Sequence, residues 1–85
     1  MTVVYLEKVK KQLSKLDNSA KKRILDYMDD VAQLENPRER GKMLIGNMFG
    51  LWRYRVGDYR ILCKIRDKEL VITVVEVGHR REVYN

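Results

Sequence analysis

Apolar and charged residues alternate through positions 51–62 with one interruption. Trp52, Tyr54 and Val56 alternate with Arg53 and Arg55, the pattern stops at Gly57-Asp58, and it resumes as Tyr59-Arg60-Ile61-Leu62. Period-two alternation predicts a half-buried strand. A two-residue Gly-Asp break between two such runs predicts a β-hairpin closed by a primed turn. With Gly57-Asp58 as the loop, Val56 faces Tyr59, Arg55 faces Arg60, Tyr54 faces Ile61 and Arg53 faces Leu62. One face then gathers Trp52, Tyr54, Val56, Tyr59, Ile61 and Cys63 for a core. The other gathers Arg53, Arg55 and Arg60.

The pattern on either side supplies the remaining elements. Thr2-Val3-Val4-Tyr5 is β-branched and aromatic, which predicts a short strand. Leu6, Val9, Leu13 and Leu16 recur at helical spacing with lysines on other faces, an amphipathic helix. Asp17-Asn18-Ser19 supplies cap-type residues for a second helix. Its buried stripe is Ala20, Ile24, Tyr27 or Met28, Val31 and Leu34, with Asp26, Asp29 and Asp30 facing water. It ends near Glu35-Asn36-Pro37, because the residue before a proline avoids the α region. Residues 37–50 form a connector rich in charge and glycine, in which Arg38, Arg40 and Lys42 make a mobile basic stretch. Beyond the hairpin, a polar turn at Arg66-Asp67-Lys68-Glu69 precedes a run at 70–77 that is apolar on both faces, an interior strand. Gly78 permits a bulge or bend, so either His79 or Arg80 turns toward the arginine face. The predicted fold is α+β, in the order β-α-α-β-β-β. A short N-terminal strand and a helical hairpin pack on a small antiparallel sheet, in a single domain spanning 1–85.

Composition narrows the class. The 85 residues are 45% hydrophobic and 35% charged, enough for one modest core. No apolar run reaches the ~20 residues of a membrane span, and the start lacks a signal-peptide core, so a cytoplasmic protein with no membrane role is expected. The single Cys63 alternates with Ile61 and Ile65 and reads as core packing. The net charge of +6 favours an anionic partner. Its distribution says more. Residues 1–35 hold seven Lys/Arg against six Asp/Glu, whereas residues 36–85 hold eleven against six and eight of the nine arginines.

The chain contains no CxxC, no HExxH and no glycine-rich phosphate loop. One histidine and one cysteine do not make a usual zinc site, and no cofactor is implied. What remains is an arginine cluster (Arg53, Arg55, Arg60, Arg80, Arg81), one imidazole at His79 and a phenol at Tyr84. Directly opposed like charges destabilise an antiparallel pair, so Arg55 opposite Arg60 points to an anion bound between them, and the guanidinium fork suits phosphate oxygens. These groups fit a metal-free reaction in which an RNA 2′-hydroxyl attacks its own neighbouring phosphate. The arginines stabilise charge on the phosphate, and His79 or Tyr84 serves proton transfer.

Leu44-x-Gly46, the stretch Trp52-Arg-Tyr-Arg-Val-Gly-Asp-Tyr-Arg60, Val77-Gly-His-Arg80 and Val83-Tyr84 resemble the RelE/ParE superfamily of bacterial type II toxin–antitoxin systems. The order of elements agrees over nearly the whole chain, including the early Leu13-Ser-Lys-Leu-Asp17. Resemblance to the RelE branch implies a ribosome-dependent endoribonuclease that cuts mRNA in the A site and arrests translation. By position it implies catalytic roles for Arg60, Arg80 and Tyr84, with His79 a further candidate, and RNA-binding roles for Arg53, Arg55, Arg81 and Lys42. The partners it implies are the ribosome, mRNA and an acidic RelB-like antitoxin, through which the complex binds operator DNA. The ParE branch shares the fold and the Tyr-Arg strand, and implies instead a non-enzymatic inhibitor of DNA gyrase. A catalytically silent antitoxin- or RNA-binding domain is the third reading.

Overall fold

The computed structural model describes residues 1–79. Strand β1 (Thr2–Tyr5) leads into helix α1 (Glu7–Ser14) and then α2 (Asn18–Gln33). A two-residue strand β2 (Lys42–Met43) follows, then β3 (Trp52–Val56), β4 (Tyr59–Arg66) and β5 (Val71–His79). The strands form one sheet in the order β1-β5-β4-β3-β2. The β3-β4-β5 meander is antiparallel as the sequence predicts. The whole sheet is nevertheless mixed, because β1 runs parallel to β5, pairing Thr2 with Val71 through Tyr5 with Val74. The helical hairpin is the crossover that makes this parallel pairing possible. Strand β2 was not foreseen, since two residues carry no readable period. Among the described residues no helix is long and apolar enough to cross a membrane.

Local chemistry sets the helix ends. The Asp17 side chain accepts a hydrogen bond from the Ala20 N–H at 2.7 Å and caps α2. The backbone turns extended at Leu34. The Asn36 side chain then caps a 3-10 turn at Pro37–Glu39, accepting from the Arg38 N–H at 2.9 Å. Both helices cover one sheet face, α1 lying along β5 and α2 against β1 and β3. Val9 and Leu13 meet Ile24, Met28 and Val31 over Tyr54, Val56, Ile61, Cys63, Ile72, Val74 and Val77. Each such side chain removed from water contributes on the order of 1.5–3 kcal/mol.

The connector is pinned rather than mobile. Arg38 donates to both Asp67 oxygens, at 2.8 and 3.1 Å, and its guanidinium lies over the Trp52 ring. Arg40 lies over the Tyr27 ring, and its carbonyl accepts from the Trp52 indole N–H at 2.7 Å. The buried Tyr54 hydroxyl donates to the Pro37 carbonyl at 2.7 Å. Gly41 is required where this strap crosses β3. It has φ +80°, and a Cβ there would overlap the Arg53 carbonyl oxygen and stand 2.7 Å from the Trp52 Nε1.

The irregularity expected at Gly78 occurs earlier. Leu62 pairs with Glu76 and Cys63 with Val74, leaving Val75 as the extra residue of a bulge, while Gly78 pairs in register with Arg60. The bulge accompanies a change of neighbour. Strand β1 ends at Tyr5, opposite Val74, and beyond it Gln12 of α1 accepts from the Val77 N–H at 2.8 Å. The exposed edge of β5 is thereby blunted by a side chain.

Candidate nucleic-acid interface

The hairpin turn fixes this site. Gly57 takes a positive φ of 58° and Asp58 does not, the pattern of a type II′ turn, whose twist matches the flanking strands. The register that follows sets Val56 against Tyr59, Arg55 against Arg60, Tyr54 against Ile61 and Arg53 against Leu62. Tyr54, Val56, Ile61 and Cys63 are buried under the helices. Alternation therefore turns Arg53, Arg55 and Arg60 to the helix-free face.

These three arginines differ in exposure. Arg55 is exposed, Arg53 is half-buried and Arg60 retains only 8% of its surface. A guanidinium held this far from water has shed much of its hydration before an anion arrives, which strengthens its field at that anion. Arg60 stands between Arg55 on β3 and Gly78 on β5. Lys42 stands opposite Arg53 on the same face.

Two further cations were not foreseen. Lys64 pairs with Thr73 and Arg66 with Val71, and both are exposed on the helix-free face. The signal was present, since Arg60, Leu62, Lys64 and Arg66 continue the same alternation. All six Lys/Arg residues of the described strands thus share one face. Glu76 is the one carboxylate on these strands. It is taken by α1, with Lys8 at 2.8 Å and the Gln12 amide at 3.4 Å. Like charges gathered on one face raise the local potential and attract a polyanion.

The other sequence candidates divide. His79 pairs with Tyr59, and the two rings meet edge to face at 5.9 Å. This pairing puts His79 on the helix side of the sheet, not with Arg55 and Arg60. Arg80, Arg81 and Tyr84 lie outside the described residues. Arg38 and Arg40 serve the strap. Burial pushes the Cys63 thiol well above its ordinary value, which keeps it protonated and unreactive. Among the described residues no three His, Cys, Asp or Glu side chains gather to hold a metal ion.

The family and the fold match those of known proteins. A family profile described as "ParE toxin of type II toxin-antitoxin system, parDE" matches residues 3–84. No curated protein gives a significant sequence match. Among solved structures, the toxin–antitoxin complex RelBE2 from Mycobacterium tuberculosis superposes with a TM-score of 0.84 at 26% identity, covering 95% of this chain and 92% of that one. The archaeal RelE–RelB complex from Pyrococcus horikoshii gives 0.74 at 27% identity over 96% and 97%. An E. coli toxin RelE mutant in the free state gives 0.78 at 23% identity over 96% and 85%, a likeness of fold.

Proposed function

Because this chain belongs to the ParE toxin family of type II toxin–antitoxin systems, within the RelE/ParE superfamily, we propose which kind of toxin it is: a ribosome-dependent endoribonuclease of the RelE kind. The observation that carries this reading is Arg60, buried on a strand and directly opposite Arg55, on the face that gathers all six lysines and arginines of the described strands.

In the proposed reaction the substrate supplies its own nucleophile. The 2′-hydroxyl loses its proton to a base and attacks the adjacent phosphorus, and the 5′-oxygen leaves with a proton. The phosphate gains charge in the transition state, and Arg60 and Arg55 are proposed to stabilise it. Arg80 and Tyr84 are proposed, from the superfamily resemblance, to complete the site as a second guanidinium and as a proton-transfer or base-stacking group. His79 is assigned to packing against Tyr59. Arg53, Lys42 and Arg81 hold the RNA backbone. The RelB-bound solved relatives support an antitoxin as partner; that antitoxin is proposed to be acidic, and the complex to bind operator DNA through it in the cytoplasm.

A second reading, a non-enzymatic gyrase inhibitor, is favoured by the family description itself. Induction in a bacterial cell, with translation and DNA supercoiling followed side by side, separates the two. Rapid translational arrest with mRNA cut inside reading frames is the expected result. Loss of supercoiling with intact mRNA would establish the inhibitor instead.

A further inference from the structure

The cations of the helix-free face reach well beyond the Arg55–Arg60 pair. Along β4, Lys64 and Arg66 lie four and six residues from Arg60, or ~13 and ~20 Å at the ~3.3 Å rise of a strand. Neither makes an ion pair with a carboxylate among the described residues. One phosphate at Arg60 cannot reach them. Between the two groups, Leu62 and Leu44 form the floor of a small apolar cluster, and Glu76, paired with Leu62, is held by Lys8 at 2.8 Å. The segment that covers this floor carries Phe49, 73% exposed. A basic track with an adjoining exposed aromatic ring is the arrangement that grips a single strand through its phosphates and one stacked base.

We propose that Lys64 and Arg66, with Phe49, form a second binding stretch for single-stranded RNA, holding nucleotides several positions away from the one at Arg60. This rests on the RNA reading above. It assigns the face a footprint set by strand length, with the Arg60 end serving the reacting phosphate and the Arg66 end serving affinity.

The test uses 2′-O-methyl RNA, which lacks the nucleophile and is not cut, in a short form of about three nucleotides and a long form of about twelve. Binding by fluorescence anisotropy is followed against salt for the wild type and for the Lys64→Ala/Arg66→Ala double variant. The wild type is expected to bind the long RNA more tightly and with a steeper salt dependence. The double variant is expected to lose about tenfold in affinity for the long RNA, with a salt slope shallower by ~1.4, at ~0.7 per phosphate contact. Its affinity for the short RNA and its Tm should match the wild type, and K64R/R66K should restore long-RNA binding. A double variant that binds both RNAs like the wild type overturns this inference and leaves the RNA reading standing. Failure of the wild type to bind either RNA at low salt overturns both. Loss of binding to an acidic peptide with RNA binding intact would make the patch a protein contact and overturn the inference.

Discussion

Arg55 and Arg60 stand directly opposite each other across β3 and β4, the first exposed and the second buried. A like-charge pair in this register costs on the order of 0.2–1 kcal/mol, and a bound anion between the two removes that cost. Arg55→Ala should therefore leave stability unchanged or raise it by up to ~1 kcal/mol in urea unfolding. Inorganic phosphate should stabilise the wild type more than the variant, through its preference for the folded state. Equal stabilisation of both proteins would show that the pair does not form an anion site.

His79 gives a second prediction, because its ring packs on Tyr59 rather than facing Arg60. His79→Gln should retain mRNA cleavage within about a factor of ten, below the 10²-fold or more that a general base contributes. The pH profile should keep its shape, and Tm should fall. A loss of 10²-fold or more in cleavage with Tm unchanged would return His79 to the chemistry.

Tyr5 links stability to alkaline pH. Burial, then the Asp29 and Cys63 charges, pushes its phenol up to about 12, against ~10 in the unfolded chain. Between these values the folded state keeps a proton that the unfolded state has released, so stability falls as pH rises through that window and is flat below it. Tyr54 shifts in the same direction. The Tyr5 hydroxyl has no hydrogen-bond partner among the described residues. Tyr5→Phe should cost little at neutral pH and flatten the alkaline fall, leaving the share due to Tyr54. An alkaline slope identical to that of the wild type would contradict the assignment.

Leu70 sits in the left-handed region at φ 57° with 61% of its surface exposed. A branched side chain pays roughly 1–2 kcal/mol for that conformation, and its exposure returns little. Asparagine tolerates the region better, so Leu70→Asn should raise stability by ~0.5–1 kcal/mol in urea unfolding. A decrease would show that Leu70 holds a contact worth more than its strain.

The hairpin was legible because a two-residue turn leaves one register, and alternation then fixes which side chains share a face. The face of Arg53, Arg55 and Arg60, the Asp17 cap and the α2 stripe from Ala20 to Val31 followed from local pattern, whereas Leu34 lies past the helix end in extended backbone. The parallel pairing of β1 was not legible, because residues over sixty positions apart meet there and no local period records it. Burial of Arg60 was hidden for a similar reason, since exposure is set by what packs around a strand and not by its alternation. The position of His79 depended on the bulge at Val75, one residue inserted in a run whose apolar side chains occupy both faces. The arginines of the connector looked solvated in isolation. Asp67, Trp52 and Tyr27 hold two of them from distant parts of the chain.

The proposed function stands or falls with Arg60 stabilising a reacting RNA phosphate. The most direct test is cleavage of mRNA on purified, programmed ribosomes by the wild type and by Arg60→Ala, with the fold of the variant checked by circular dichroism. The expected result is cleavage by the wild type within the A-site codon and a loss of ~10²–10³-fold in Arg60→Ala, the scale of removing one preorganised transition-state donor. Cleavage by Arg60→Ala at the wild-type rate, or intact mRNA with both proteins, would exclude that role for Arg60.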